Sequence, residues 1–422
     1  MRVLINSYAC CPDMGSEPGM GWHWITSLAQ YCECYVVSEG EFRPQVEQWM
    51  AQPENANVAT HLHFYWIPIG GENVGRCARI RRICWNQGDW RFYYYYRKWQ
   101  KRAADCARAI VDAQVKRGES IQILHQLNMI GFREPGYLWQ VSKEKNVPFV
   151  WGPVGGMKMF PLAYASSWGQ KCFNWLKNQL TITQLKYSIR VKRAIQQAKA
   201  VIASIPDSQK AISKYYGCDS IIIPETGCET PTIRQERANS YGLSVLWVGK
   251  FDYRKRLDIA ISAISVTKNK NISLTICGSG NQKQFEDARR LVRELNIEDQ
   301  VLFAGLKKNS EVKSEMLRAD ILLFTSVSED TSTVVMEAIS AQLPVVCFDC
   351  CGMAAVINDS VGVKIPLSTP RDSIVDIAET LNRLYVDEEL RMQMRQNCLT
   401  RASELSWGNK ANQIVRLYRT LV

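Results

Sequence analysis

The 422-residue chain is 46% hydrophobic and 22% charged, and it carries a formal net charge of +11. A chain of this length exceeds what one ordinary hydrophobic core organises, so we expect two globular domains. No apolar run approaches the roughly 18 residues that a membrane-spanning helix needs, and the first residues read as a strand rather than a signal peptide. These features favour a cytoplasmic protein over an integral membrane or secreted one.

The first half of the chain alternates strands with helices. Residues 1–8 form a predicted strand, 10–22 a glycine-bearing loop, 22–31 a helix and 34–37 a second strand. This alternation is the pattern of a parallel α/β sheet. The later predicted elements of this half are strands at 121–127, 147–153, 200–205 and 220–227, with a helix at 207–217.

A polar segment that contains a proline, residues 231–243, is the predicted linker, and the alternation restarts beyond it. Near-continuous apolar strands between helices indicate a sheet that is covered on both faces. The predicted strands of this half are 245–251, 272–280, 300–306, 319–326 and 343–349, and the predicted helices are 256–265, 282–295, 309–318 and 333–342.

The pattern as a whole predicts an α/β protein of two Rossmann-like domains that face each other across a cleft. The first domain is expected at 1–230 and the second at 244–404. Open α/β sheets bind ligands outside the carboxyl ends of their strands, so we expect the active site at those ends.

Charge is spread unevenly between the two halves. Residues 1–230 carry a net charge of +9, and residues 231–422 carry a net charge of +2. The partners of the first half are therefore expected to be anionic. Nucleic acid, a membrane surface and a phosphorylated substrate all fit that charge.

The 15 cysteines do not predict disulfides, since a disulfide framework belongs to short secreted chains. The pairs at metal-ligand spacing, Cys347/Cys350 and His61/His63, lack a second pair that would complete four ligands. Buried reduced thiols are the better interpretation, and no metal is expected.

The segment 328–338 carries the most informative motif. It follows a predicted strand and opens a helix, with Glu329 in the loop and Glu337 in the first turns of the helix. Between them, three hydroxyl residues offer backbone N–H groups at a helix N-terminus, which binds anions. The three residues are Thr331, Ser332 and Thr333. The alternative interpretation is a capped helix with one surface glutamate.

Two further segments end strands of the same sheet. Lys250 and Lys255 flank a tight loop after the first strand of the second domain, where basic side chains suit a diphosphate. The alternative is a solvated loop. The second segment, 277–280, is too short to identify a dinucleotide site, and a simple turn is the alternative; because it ends a strand at the same edge, Gly278 is a candidate donor-binding residue.

Together these residues resemble the retaining glycosyltransferases of family 4, which have the GT-B fold. The matching motifs are Gly249-Lys250-Phe251, Lys255, the pair Glu329 and Glu337, the strand ending Val301–Gly305, the loop Gly15–Trp22 and Ser406-Trp407. The resemblance implies a C-terminal helix, residues 405–422, that packs back on the first domain. It also implies sugar transfer with retention of configuration and without a metal or other cofactor.

The resemblance assigns a role to each matching residue. Glu337 would bind the ribose hydroxyls of the nucleotide, and Glu329 would orient the donor sugar and support positive charge at its anomeric carbon. Lys250 and Lys255 would neutralise the diphosphate, and Leu306 would lie beside the base. Gly19, after the first strand, would let the backbone approach the phosphate.

Three departures from the family pattern matter. Lys250 stands where an arginine is usual, which keeps the charge but loses bidentate contact with phosphate. Asp330, Thr331 and Ser332 replace the usual Gly-Phe-Gly. The loop 152–156 lacks a histidine that many relatives have, and His125 is our candidate to replace it as a partner of the sugar or acceptor. A buried histidine with both nitrogens satisfied is the alternative.

Basic and aromatic residues are interleaved at 76–102, which holds nine Lys and Arg, one acid and eight aromatics. Residues 145–206 hold nine basic residues and no acid. This composition suits an anionic membrane interface or single-stranded nucleic acid, and the resemblance decides against nucleic acid. A solvated basic helix is the alternative. The candidate acceptor or membrane residues are Arg79, Arg81, Arg82, Trp85 and Trp175.

The sequence therefore predicts a glycosyltransferase that moves a sugar from a UDP-sugar or GDP-sugar to a saccharide or lipid-linked acceptor. We expect it to act in surface polysaccharide assembly, at the cytoplasmic face of the inner membrane. A catalytically inactive protein of the same fold that binds sugar nucleotides is the alternative.

Overall fold

The computed structural model describes residues 1–84, 89–232 and 242–422, which form two compact units. The first unit contains Met1–Met157, Thr183–Glu225 and Trp407–Val422, and the second contains Lys158–Ile182 and Thr226–Ser406. Most of the predicted linker, 231–243, lies outside the described residues, as does Trp85.

The sheet of the first unit is parallel, with strand order β3-β2-β1-β4-β5-β6-β7. Almost every residue of its central strands is buried, as expected for a sheet with helices on both faces. Up to residue 225, the elements in chain order are β1 Arg2–Ser7, α1 Ser16–Ala29, β2 Glu33–Glu39, α2 Arg43–Met50, α3 Ala56–Ala59, β3 Leu62–Ile67, α4 Val74–Cys84, α5 Trp90–Lys116, β4 Ile123–Asn128, α6 Leu138–Lys145, β5 Phe149–Val154, α7 Trp168–Tyr187, α8 Ile189–Gln197, β6 Ala200–Ala203, α9 Pro206–Tyr216 and β7 Ile221–Ile222.

The sheet of the second unit is also parallel, with strand order β10-β9-β8-β11-β12-β13. Neighbouring strands therefore end at the same edge, where their following loops meet. From residue 226, the elements are β8 Leu243–Lys250, α10 Leu257–Ser265, β9 Ile272–Ser279, α11 Gln282–Glu294, β10 Val301–Gly305, α12 Asn309–Arg318, β11 Ile321–Phe324, α13 Thr333–Ser340, β12 Val345–Phe348, α14 Met353–Val356, β13 Gly362–Ile365, α15 Pro370–Val386, α16 Glu388–Glu404 and α17 Trp407–Leu421.

The C-terminal helix α17 packs with the first unit, as predicted. Its residues Trp407, Ile414 and Tyr418 are buried in the same core as Trp24 and Leu28 of α1. The two parallel α/β units and this returning helix confirm the predicted fold class.

One segment is placed differently from the prediction. Residues 158–182 were expected in the first domain, but they cluster with the second unit. Tyr164 explains this, since it is buried in the second core. The Nη1 of Arg256 donates to its carbonyl at 2.7 Å, and its hydroxyl pairs with that of Ser373 at 2.6 Å.

Other differences are local. Helix α1 begins at Ser16 rather than at residue 22, because Pro18 is tolerated in the first turn of a helix. The strand predicted at 220–227 shortens to Ile221–Ile222, since Pro224 follows closely and cannot donate to a ladder. Of the helices within the described ranges, none combines the length and the hydropathy needed to cross a bilayer.

Candidate active site

Two loops of the second unit are hydrogen-bonded to each other at the carboxyl edge of the sheet. One follows β8 and the other follows β11, its neighbour in the sheet. The hydroxyl of Thr325 donates to the carbonyl of Lys255 at 2.7 Å, and the amide of Val327 donates to the carbonyl of Arg254 at 2.9 Å. These bonds fix the relative position of the two loops.

Lys255 and Glu329 meet across these loops. Lys255 Nζ lies 2.8 Å from Glu329 Oε1, and both side chains are largely buried. The same Nζ lies 4.8 Å from the centroid of the Phe324 ring, a cation–π distance. The structure thus brings together two residues that were singled out from the sequence and are well separated along the chain.

Asp330 forms a second ion pair in the same loop. Its carboxylate lies 2.8 Å from Lys158 Nζ, with the lysine side chain 16% exposed and the aspartate 29%. Lys158 was not among the candidates predicted from the sequence. The sequence contained only indirect evidence of this ion pair. Lys158 lies in a stretch of 62 residues without an acid, so any acidic partner had to be distant in sequence.

Helix α13 opens directly after these pairs. Ser332 is the N-cap residue with an extended backbone, but its side chain makes no capping hydrogen bond, and Thr333 is exposed. The first N–H groups of a helix have no intrahelical partner, so this helix start suits an anion. Thr331 packs against Gly352, where an added Cβ would lie 2.4 Å from the Thr331 hydroxyl oxygen.

Glu337 lies four residues beyond Thr333, on the same exposed face of α13. Its side chain reaches solvent, yet the protein around the carboxyl removes enough water to raise its pKa. The negative charge of Glu229 adds to this rise, and Lys313 opposes it. Glu337 is therefore held in an electrostatic setting that favours the approach of hydrogen-bond donors or positive charge.

An open cavity of about 440 Å³ lies at the carboxyl ends of β8 and β9. Lys250, exposed at the end of β8, lines it together with Phe251, Asp252, Tyr253, Ser279, Gly280 and Gln284. Gly278 lies in β9, where close packing against β8 leaves no room for a side chain. A Cβ added there would come within 2.0 Å of the carbonyl oxygen of Gly249 in β8.

The residues after β10 lie at the same edge. Leu306 is 79% exposed, and Lys307 Nζ pairs with Glu315 Oε1 at 2.7 Å. Within the described parts of the chain, no three side chains of metal-binding type are grouped as ligands. Independence from metals stays a prediction.

His125 does not fill the role proposed from the sequence. It is fully buried in β4, where the Tyr418 hydroxyl pairs with Nδ1 at 2.5 Å and Nε2 donates to the Gly152 carbonyl at 2.6 Å. Burial lowers its pKa to about 4, so it is neutral and satisfied. The prediction of a contact with sugar or acceptor was wrong, because α17 covers this position with Tyr418.

Gly19 lies inside α1 rather than in a loop. A Cβ there would lie 1.9 Å from the carbonyl oxygen of Met14, so packing of the preceding loop requires glycine. Its approach to a phosphate stays a prediction.

The basic candidates of the first unit divide into two kinds. Arg81 is paired with Glu39 and Glu41, so its charge is compensated within the protein. Arg79 and Arg82 are exposed on α4. Trp175 is 49% exposed on α7, in the segment that clusters with the second unit.

Residues 230–400 match the model of a protein family described as glycosyl transferases group 1. An uncharacterized glycosyltransferase of Methanocaldococcus jannaschii is 30% identical over 179 residues, which are 42% of this chain and 44% of that protein. The alpha-D-kanosaminyltransferase of Streptomyces kanamyceticus is 25% identical over 202 residues, which are 46% of this chain and 50% of that protein. The chain thus spans about half the length of the curated relatives it matches.

Solved structures align with the whole chain, whereas the two relatives of similar sequence named above align with less than half of it. The crystal structure of HepE from Anabaena in complex with UDP aligns over 100% of both chains, with a TM-score of 0.63 and 15% sequence identity. At that identity the likeness concerns the fold. The chain therefore has the GT-B fold of two parallel-sheet α/β units, and its residues 230–400 match the glycosyl transferases group 1 family.

Proposed function

We propose that this protein is a glycosyltransferase that takes its sugar from a nucleotide diphosphate donor bound at the carboxyl edge of the second sheet. The observation that carries this proposal is the Lys255–Glu329 ion pair. Its two residues lie on loops that are hydrogen-bonded to each other, and the loop with Glu329 continues into the start of α13, where Ser332 makes no side-chain cap. A cation, a carboxylate and free N–H groups are what a diphosphate sugar requires of its site.

Charge development explains how these residues would promote transfer. As the bond between sugar and diphosphate breaks, negative charge grows on the leaving phosphate, and positive charge grows at the anomeric carbon. Lys255 would then share its ammonium group between Glu329 and the leaving phosphate. Glu329 would then face the anomeric carbon with its negative charge less neutralised, and Lys250 would add a second positive charge.

Glu337 is proposed to hold the nucleotide ribose. A carboxylate accepts two hydrogen bonds from neighbouring hydroxyls, and such charge-assisted bonds are stronger than neutral ones. Its place four residues along the exposed face of α13 from Thr333 supports this role. Leu306, exposed after β10, is proposed to contact the base.

The relatives supply the donor class of this proposal. The relatives of similar sequence are named as a glycosyltransferase and as an alpha-D-kanosaminyltransferase, and HepE, which shares the fold, is described in complex with UDP. We infer a UDP-sugar or GDP-sugar as donor, transfer with retention of configuration and no metal or other cofactor.

The acceptor is proposed to be a saccharide or lipid-linked saccharide of surface polysaccharide assembly. The net charge of +9 on residues 1–230 supports an anionic partner, which we take to be the cytoplasmic face of the inner membrane. Nucleic acid is not proposed as a partner.

A panel of nucleotide sugars, screened by thermal shift and then by release of the free nucleotide, tests the proposal. We expect one UDP-sugar or GDP-sugar to stabilise the protein and to release its nucleotide faster when an acceptor saccharide is added. Magnetic resonance of the product would show the donor's anomeric configuration. Binding without any turnover across acceptors would favour the inactive sugar-nucleotide-binding protein instead.

A further inference from the structure

Helix α7 presents its polar side to the protein. The side-chain amide of Asn178 makes two hydrogen bonds of 2.9 Å with the backbone of Phe160, one to the amide and one to the carbonyl. Asn174 is 1% exposed, and its side-chain oxygen accepts from the Tyr253 hydroxyl at 3.4 Å. Thr181 is also buried on this side. Polar contacts therefore hold the helix in place.

The opposite side of α7 is apolar and exposed. Phe173, Leu176 and Leu180 are 61%, 55% and 64% exposed, and their spacing of three and four residues places them in one stripe. Trp168 and Trp175, 80% and 49% exposed, lie further round the helix on the same exposed side, next to each other. A helix on a globular protein normally has the reverse arrangement, with its apolar stripe facing the core. A continuous exposed apolar surface of this kind marks an interaction site.

The charge of the helix identifies the kind of partner. Both Lys171 and Lys177 are exposed. Lys171 lies four residues before Trp175 and Lys177 four residues after Phe173, so the two lysines border the two edges of the exposed side that holds the tryptophans and the stripe. No acid occurs from Lys145 to Pro206, a stretch with nine basic residues. An apolar stripe bordered by tryptophan and lysine matches a bilayer surface, whose acyl region is apolar and whose anionic headgroups are negative.

We propose that the outer face of α7, defined by Phe173, Leu176 and Leu180 with Lys171 and Lys177, docks on a bilayer that contains anionic lipid. The helix lies in the plane of the interface, the three apolar side chains enter between the headgroups, and the lysines contact lipid phosphates. This inference deepens the proposed membrane association and rests on it, and it assigns that association to one helix face.

Vesicle flotation tests the docking face. The chain with Phe173→Ser, Leu176→Ser and Leu180→Ser is compared with wild type on vesicles of phosphatidylcholine alone and of equal parts phosphatidylcholine and phosphatidylglycerol. The wild type is expected to float with the anionic vesicles at low salt, and the triple variant to partition about tenfold less. These side chains are exposed, so the thermal midpoint should not change.

A matched control places the same number of serines elsewhere on the second unit. Leu302, Val375 and Val386 are 63%, 45% and 81% exposed, and the variant Leu302→Ser, Val375→Ser, Val386→Ser should float like wild type. A separate variant, Lys171→Glu with Lys177→Glu, should lose the preference for phosphatidylglycerol.

Three outcomes would overturn the docking proposal. They are a wild type that ignores anionic vesicles, a triple variant that floats like wild type, and a wild type that is dimeric without lipid and becomes monomeric in the triple variant. The last result would assign the face to a second copy of the chain. Calorimetry with UDP and GDP on the same samples distinguishes failure of the docking proposal from failure of the proposed function. If wild type binds nucleotide but does not float with vesicles, only the docking proposal is wrong. If no sample binds either nucleotide, the proposed function is wrong.

Discussion

Lys158 Nζ lies 2.8 Å from an oxygen of Asp330, the residue that directly follows Glu329 in the loop after β11. Lys158 thereby compensates an acid placed next to a proposed diphosphate site. Replacing Lys158 by alanine should raise the donor KM about tenfold, or about 1.4 kcal/mol, because Asp330 would then repel the donor. Steady-state kinetics at varied donor concentration measures this.

The double variant distinguishes charge compensation from simple loss of structure. Asp330→Asn in the Lys158→Ala chain should restore the donor KM, because it removes the negative charge that repels the donor. Asp330→Asn alone should change KM little. A double variant as impaired as Lys158→Ala would show that the lysine acts by something other than neutralising Asp330.

Donor affinity should depend on pH through Glu337. Burial raises the pKa of this carboxyl, so it takes up a proton at a higher pH than an ordinary glutamate. Protonation removes the negative charge that strengthens the ribose contact, so nucleotide affinity should fall as pH is lowered through the raised pKa. Glu337→Gln should bind the nucleotide about tenfold more weakly near neutral pH and lack this pH dependence. Calorimetry over a pH series compares the two chains, and parallel pH curves would contradict the assignment.

Acid should destabilise the protein through His125. Its pKa is about 4 in the fold and near 6.5 as a free group, so the unfolded chain takes up the proton first as pH falls. The contribution of neutral His125 to the free energy of unfolding is complete above pH 6.5. It is lost between that pH and about 4, and amounts to on the order of 3 kcal/mol in total. Urea unfolding of wild type and His125→Gln, at about pH 7 and about pH 5, should show a smaller loss in the variant. An equal loss in both would mean that His125 is not the titrating group.

Gly278 is predicted to be needed for sheet packing. Alanine at this position would put its Cβ 2.0 Å from the Gly249 carbonyl oxygen, and separating β8 from β9 should cost about 2 kcal/mol or more. Gly408→Ala is the matched control, since nothing lies within 4 Å of its Cβ position in α17, and it should be neutral or slightly stabilising. Thermal midpoints of both variants test this. If Gly278→Ala is as stable as wild type and binds nucleotide less well, its role is in the donor site instead.

Periodicity and apolar runs predicted most of the second sheet, and helix α12 matches its predicted range, 309–318. The meeting of Lys255 with Glu329 was also predictable, because residues that follow neighbouring parallel strands share an edge. Lys158 was not predictable in this way. Its contact depends on the excursion 158–182, whose attachment to the second unit is set by buried contacts such as that of Tyr164 with Arg256.

Predictions from the sequence were wrong where distant parts of the chain decide whether a residue is buried or paired. His125 looked available at the end of a strand, but Tyr418, near the C-terminus, covers it. Arg81 looked like one of several surface cations, but Glu39 and Glu41 are its partners. The strand β3, Leu62–Ile67, was missed although residues 64–67 form an apolar run; most of its residues are only half-buried, because β3 is an edge strand of the sheet.

Calorimetric titration of UDP and GDP into wild type and Lys255→Ala, with turnover measured on the same samples, shows whether Lys255 belongs to a nucleotide-sugar site. Lys268→Ala is the control, because this exposed lysine follows α10 at the opposite edge of the sheet. We expect wild type and control to bind one nucleotide equally, and we expect Lys255→Ala to bind it more weakly and to lose about 10²-fold in turnover. Failure of wild type to bind either nucleotide, or a Lys255→Ala chain that binds and turns over like the control, would contradict this assignment.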